Sequence, residues 1–164
     1  MIEVTTAALA GHPFLHGTSE EHRAKLAEAA TVVAIPAGRR IFEDGGNASR
    51  FWLIRSGRVA LDLLIPGQGL AVVETLGMGD VLGWSWLFSP YRWVFGATAL
   101  TAVEAFEFDG PAVRAQLEAD PALGYELTRR FVAVAANRLQ ATRFRLLGLY
   151  TPADAGSWHN AAPA

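Results

Sequence analysis

Between Thr31 and Asp109 the chain breaks into short segments of valine, isoleucine, leucine and phenylalanine, each closed by glycine or proline. Such punctuation predicts short antiparallel strands joined by tight turns, in a barrel or jelly roll. Arg58 to Leu64 alternates in part, Pro66, Gly67, Gln68 and Gly69 read as a hairpin loop, and Leu70 to Leu76 reads as the returning strand. Phe95 to Asp109 supplies the last strands.

The flanks read as helices. Thr5 to Ala10 suits a short one, and Thr18 followed three residues later by Glu21 has capping-box spacing before His22 to Ala30, with Leu26, Ala29 and Ala30 as its inward stripe. Pro111 suits the first turn of a helix running to Asp120, and Pro121 opens a longer one reaching about Tyr150. Residues 1–150 therefore read as one domain: N-terminal helices over 1–30, a mainly β jelly roll over 31–109, and C-terminal helices over 111–150. Residues 151–164 have little to pack and read as a flexible tail.

Composition removes whole classes of function. With no cysteine among 164 residues, disulfides, thiolate nucleophiles, Cys-ligated zinc and Cys-held iron–sulfur clusters are excluded. A net charge of −2 argues against a domain-wide polyanion-binding surface. Hydrophobic residues make up 51% and charged residues only 18%, below the roughly 25% of an average globular protein, so a subunit interface is the economical place for the apolar excess. The N-terminus lacks a basic start followed by an apolar run, and no apolar stretch approaches the roughly 18 residues of a membrane helix. No membrane contact and a cytoplasmic location are expected.

The run AIPAGRRIFEDGGNASRFWLIRSGRVALDLL, Ala34 to Leu64, followed by VVETLGMGDVLGWSWL, Val72 to Leu87, resembles the cyclic-nucleotide-binding domain of receptor proteins of the cyclic AMP receptor/Fnr type. Gly38, Gly45, Gly57, Gly79 and Gly83 fall where that family places its turn glycines, and the resemblance spans roughly His12 to Tyr150. It implies a jelly roll with N-terminal helices and a long C-terminal dimerisation helix. In the family, a glutamate after Phe-Gly accepts a hydrogen bond from the ribose 2′-hydroxyl. An arginine pairs with the cyclic phosphate, and backbone N–H groups of a short helix hold the remaining oxygens.

Here Leu82 and Gly83 take the Phe-Gly place, Trp84 stands where the glutamate belongs, and Ser85 and Trp86 follow. Arg92 is one candidate for the phosphate arginine. Counting back from Ala97 to Glu104 instead puts Trp93 in that register and Arg92 one residue early. Each charge-assisted hydrogen bond contributes roughly 1.5–3 kcal/mol, so losing the glutamate contact alone weakens a ribose-bearing ligand by about one to two decades. Trp84, Trp86 and Trp93, with Tyr91 and Phe95, either fill a retired pocket or stack on a flat anionic ligand whose charge Arg92 meets. A retained cyclic AMP or cyclic GMP site is the third reading.

Along the last helix Phe131, Ala135, Leu139, Thr142, Leu146 and Leu149 form a heptad-like stripe, which the resemblance assigns to homodimerisation. Arg138 to Thr142 reads Arg-Leu-Gln-Ala-Thr and resembles the family segment whose threonine helps read the adenine base, which makes Thr142 a base-side candidate and Arg138 a weaker one. Only 14 residues follow Tyr150, too few for the winged helix-turn-helix of the family's transcription factors, so direct DNA binding is not expected.

The rival class is a metal-dependent barrel enzyme, but His12, His16 and His22 precede the roll and His159 follows it, so no histidine falls on a barrel strand. With Pro13 between them, His12 and His16 suit a loop or cap rather than a metal-binding helix face. The expectation is a non-catalytic sensor or adaptor with no metal and no obligate cofactor, paired with an unidentified effector protein. A constitutive interaction module with a tryptophan-filled pocket is the alternative.

Overall fold

The computed structural model describes residues 2–154, with side chains described as far as Gly148. The chain divides into two compact units, Met1–Leu127 and Thr128–Ala164.

The first unit opens with α1 (Thr6–Ala10), a 3-10 turn over Pro13–Leu15 and α2 (Glu20–Glu28). Thr5 caps α1, its hydroxyl accepting from Ala8 N at 3.1 Å. The cap of α2 is Ser19, not Thr18: Ser19 Oγ accepts from His22 N at 3.1 Å, while the buried Thr18 hydroxyl donates to the Leu15 carbonyl at 2.7 Å. Spacing alone cannot separate two adjacent hydroxyl residues, and the tie is broken by the preceding turn, which draws Thr18 inward. The expected inward stripe also shortens. Leu26 is buried, but Ala29 is already the C-cap and Ala30 the first residue of a strand.

Eight strands follow, β1 (Ala30–Ile35), β2 (Arg40–Phe42), β3 (Arg50–Ser56), β4 (Val59–Ile65), β5 (Gly69–Leu76), β6 (Val81–Leu82), β7 (Gly96–Ala99) and β8 (Val103–Asp109). They form two four-stranded antiparallel sheets, ordered β1-β8-β3-β6 and β2-β7-β4-β5. This is a jelly roll. All five turn glycines singled out in the sequence have positive φ, between 79° and 89°. At Gly57 the need is twofold, since φ is +86° and a Cβ would lie 2.2 Å from the Ala102 carbonyl oxygen.

Register explains the core. Phe51 lies opposite Phe108 and Leu53 opposite Phe106, so these four share one face of the first sheet. That face is covered by Trp86, whose ring stacks on Phe51 at 4.5 Å between centroids while Phe51 stacks on Phe108 at 4.6 Å. The opposite face carries Trp52 opposite Glu107 and looks toward the second sheet, where Phe42 lies 5.7 Å from Trp52. Burying each such aromatic contributes about 1.5–3 kcal/mol, so the aromatic contacts on both faces are a main source of the roll's stability.

His12 fastens the N-terminal segment to the roll. Its Nδ1 accepts from Phe14 N at 3.2 Å, which leaves the proton on Nε2 to donate to the Ile54 carbonyl at 3.0 Å. The side chain is buried, and that burial holds its pKa below the ordinary histidine value, against the smaller raising effects of the Ile54 bond and Asp80. After β8 comes α3 (Gly110–Ala119), capped by Asp109 Oδ1 accepting from Ala112 N at 2.8 Å.

α4 runs over Pro121–Asp154, with Asp120 Oδ1 accepting from Ala122 N and Leu123 N at 3.1 and 3.2 Å. The helix therefore continues four residues past the expected end at Tyr150 and takes in the first part of the segment read as a tail. The rest of that segment, 155–164, lies outside the described residues. In the second unit Leu139 and Leu146 are about half exposed, and Phe144 and Leu147 more so. Phe131, which the heptad reading placed on an intersubunit stripe, is only 2% exposed.

Candidate functional site: a cassette and a cavity between the sheets

Residues 83–95 connect β6 to β7 around a 3-10 turn, Ser85–Leu87. Leu82, Ser85 and Trp86 are buried, and Trp84 is half-buried as the N-terminal residue of the turn. Gly83 has φ +89°, and a Cβ there would lie 2.9 Å from the Trp93 ring, so the cassette's glycine both turns the chain and makes room for an indole. The turn is tied to α3 by Arg114, whose guanidinium donates to the Trp86 carbonyl and lies 4.1 Å from the centroid of the Tyr91 ring. Tyr91, at φ +54°, is held further by its backbone, its N donating to the Phe88 carbonyl and its carbonyl accepting from Ala48 N, both at 2.8 Å.

Tyr91 to Trp93 runs antiparallel to Gly45 to Ala48. Trp93 N donates to the Gly46 carbonyl at 2.9 Å, Gly45 N to the Trp93 carbonyl at 2.8 Å, and Asn47 bridges Arg92. In an extended segment successive side chains point to opposite sides, so only one of Arg92 and Trp93 can point inward. Trp93 does: it is 5% exposed and stacks on Phe42 at 3.9 Å, with Trp52 at 6.1 Å. Arg92 is exposed and donates to the Gly45 carbonyl at 3.3 Å. The ladder with Gly45 to Ala48 thus sets Trp93 inward and Arg92 outward.

Beside this aromatic group a cavity of about 330 Å³ opens between the sheets, with Phe42, Trp52 and Trp93 on one side and Arg39, Arg40, Arg50 and Glu107 among its polar lining. Arg50 pairs with Glu107, whose other oxygen accepts from Trp52 Nε1 at 2.8 Å. Arg40 reaches across β7 to Asp62 on β4, donating to both carboxylate oxygens, to Thr98 Oγ1 at 3.0 Å and to Glu43 at 2.8 Å. Asp62 is buried, and Gly96 lies opposite it on β7 with no side chain; a Cβ there would fall 1.9 Å from Arg40 Nη2. Of the residues singled out from the sequence, Trp93 reaches this cavity and Arg92 does not. The arginines and Glu107 were missed because charged residues in a strand read equally well as solvent-facing. The one available signal was Asp62 interrupting the apolar run of β4.

Arg138 and Thr142 lie one turn apart on α4, Thr142 Oγ1 donating to the Arg138 carbonyl at 2.8 Å. Ala135 and Arg138 are half-buried, Thr142 is exposed, and the side chain of Leu149 lies outside the described residues. Among the described residues no group of three or more His, Asp or Glu side chains is arranged to hold a metal ion, and no helix is long and apolar enough to cross a membrane.

The model of the cyclic nucleotide-binding domain matches residues 32–120, more than half of the chain, and the protein belongs to that family. A CRP-like cAMP-activated global transcriptional regulator of Mycobacterium tuberculosis is 28% identical over 141 residues, which is 86% of this chain and 61% of the relative. The chain thus spans less than two thirds of the length of that curated relative. A cyclic nucleotide-binding protein from Geobacter metallireducens superposes with a TM-score of 0.75 at 24% identity, covering 83% of this chain and 98% of its own. The Thermus thermophilus catabolite activator protein gives 0.67 at 23% identity, over 84% of this chain and 62% of its own. At these identities the superpositions establish the fold.

Proposed function

We propose that this protein is a non-catalytic sensor or adaptor domain in which the two side chains that grip a cyclic nucleotide have been replaced. The observation that carries this reading is the inward place in the cassette: Trp93 fills it, packed on Phe42, while Arg92 faces outward. A buried cyclic phosphate needs a fixed cation, and an indole offers none. Trp84 in the glutamate's place removes the acceptor for a ribose hydroxyl as well.

Output runs through proteins: a second copy along Ala135, Leu139, Thr142 and Leu146 of α4, and an effector that reads the paired helices. The half-exposed Leu139 and Leu146 support the dimer, since exposed leucine in a helical stripe is stabilised by a partner. The Mycobacterium relative, whose name says that it is cAMP-activated, motivates the opposing reading of a retained cyclic AMP sensor.

Isothermal titration with cyclic AMP and cyclic GMP separates the two. The expected result is no saturable heat for either nucleotide up to millimolar concentration. Saturable heat that disappears in Arg92→Ala overturns the proposal and makes this chain an ordinary cyclic-nucleotide sensor.

A further inference from the structure

Three arginines line the cavity between the sheets, and two of them are held in ion pairs. Arg50 is matched by Glu107, and Arg40 by Asp62 and Glu43. Arg39 lines the same cavity, and among the described residues its guanidinium meets no carboxylate and no hydrogen-bond acceptor. Its backbone is nevertheless anchored. Arg39 N donates to the Pro36 carbonyl at 3.2 Å, and its own carbonyl accepts from Ala99 N at 2.9 Å, so the Cα is held against the end of β7. An arginine on a loose loop sweeps a wide volume; one with a clamped Cα keeps its charge at the rim of the cavity.

Phe42, Trp52 and Trp93 line the same cavity as a stacked aromatic group. The geometry points to this cavity as a binding site for a small planar monocarboxylate, an aromatic or heteroaromatic acid. Arg39 takes the carboxylate with its forked N–H groups, and the aromatic wall takes the ring. One negative charge suits Arg39, the one lining arginine without a carboxylate partner, and Glu107 in the lining repels a ligand carrying two. The volume of about 330 Å³ lies at the small end of ligand pockets, which suits a compact ring acid. Arg92 plays no part, and the site stands whether or not the cassette binds a nucleotide.

Ligand-observed fluorine NMR on the full chain tests this, with para-fluorobenzoate as the probe and para-fluorobenzamide as its uncharged counterpart. The expected result is saturable broadening of the benzoate signal, weakened roughly tenfold or more in Arg39→Gln and unchanged in Arg92→Ala, with the amide weakened by a similar factor. Arg39→Gln keeps the backbone bonds and alters an exposed side chain, so it folds as wild type, which circular dichroism verifies. Absence of broadening, equal broadening by the amide, or full retention in Arg39→Gln overturns the inference. Loss in Arg92→Ala but not in Arg39→Gln overturns it too, because the acid then sits on the cassette. Heat from cyclic AMP in the titration above sinks the proposed function and leaves this inference standing.

Discussion

Arg40 on β2 and Asp62 on β4 form a two-pronged ion pair across β7, and they meet only because Gly96 between them has no side chain. The pair ties three strands of one sheet together beneath the cavity. A buried carboxylate with its partner removed is costly, whereas exchanging both partners for apolar groups of similar volume is close to neutral. Arg40→Met is therefore expected to destabilise the protein by about 3 kcal/mol, less to the extent that water reaches the partly exposed guanidinium. The double variant Arg40→Met/Asp62→Leu should recover most of that loss in urea unfolding. Gly96→Ala should behave like Arg40→Met, since the new Cβ would occupy the guanidinium's place.

The cassette gives a sharper contrast between neighbours. Trp93 is buried against Phe42 and Arg92 is exposed, so Trp93→Ala should cost about 3–5 kcal/mol while Arg92→Ala stays within about 0.5 kcal/mol of wild type. Equal effects of the two substitutions in urea unfolding would show that the inward place is shared and that the replacement reading is wrong.

How much of this was legible beforehand differs from residue to residue. The turn glycines announced the roll, because positive φ is a demand that sequence records directly, and Gly38, Gly45, Gly57, Gly79 and Gly83 all meet it. The choice between Arg92 and Trp93 was illegible, because a one-residue change of register reverses which side a residue faces and loop length alone does not fix register. Ser19 against Thr18 failed in the same way at a helix start. The Arg40–Asp62 pair and the unmatched Arg39 depend on contacts between segments distant in sequence, and Asp62 within the apolar run of β4 was the one sign of them.

α4 supplies a prediction about assembly. Leu139→Asp or Leu146→Asp places a charge on the half-exposed stripe and should shift sedimentation from dimer to monomer with little change in the thermal stability of the roll. Phe131→Ala should do the reverse, lowering stability by about 3–5 kcal/mol because that side chain is buried within the single chain. A wild-type monomer at high protein concentration would sink the dimer.

The last prediction concerns acid. His12 is committed at both ring nitrogens as a neutral imidazole: Nδ1 accepts from Phe14 N and Nε2 donates to the Ile54 carbonyl. Protonating Nδ1 would set two donors against each other, and burial already holds the pKa below its usual value. Unfolded, the same side chain takes a proton near pH 6.5. As pH falls below about 6.5 the unfolded state binds more protons than the native state, so stability must fall with it, and the loss continues until the lowered native value is passed. Glu43 and Asp120 are shifted downward mainly by hydrogen bonds from Arg40 and Lys25; their stabilisation is present above the ordinary carboxylate range and is lost only at lower pH. A thermal melt series between about pH 7 and pH 5 therefore separates histidine from these carboxylates, and a His12 variant assigns the share of His12. His12→Gln can still donate to Ile54 and cannot be protonated, so its melting temperature should be nearly flat across that interval while wild type declines. Parallel curves would place the acid sensitivity on another group and remove His12 as the acid-sensitive fastening of the N-terminal segment to the roll.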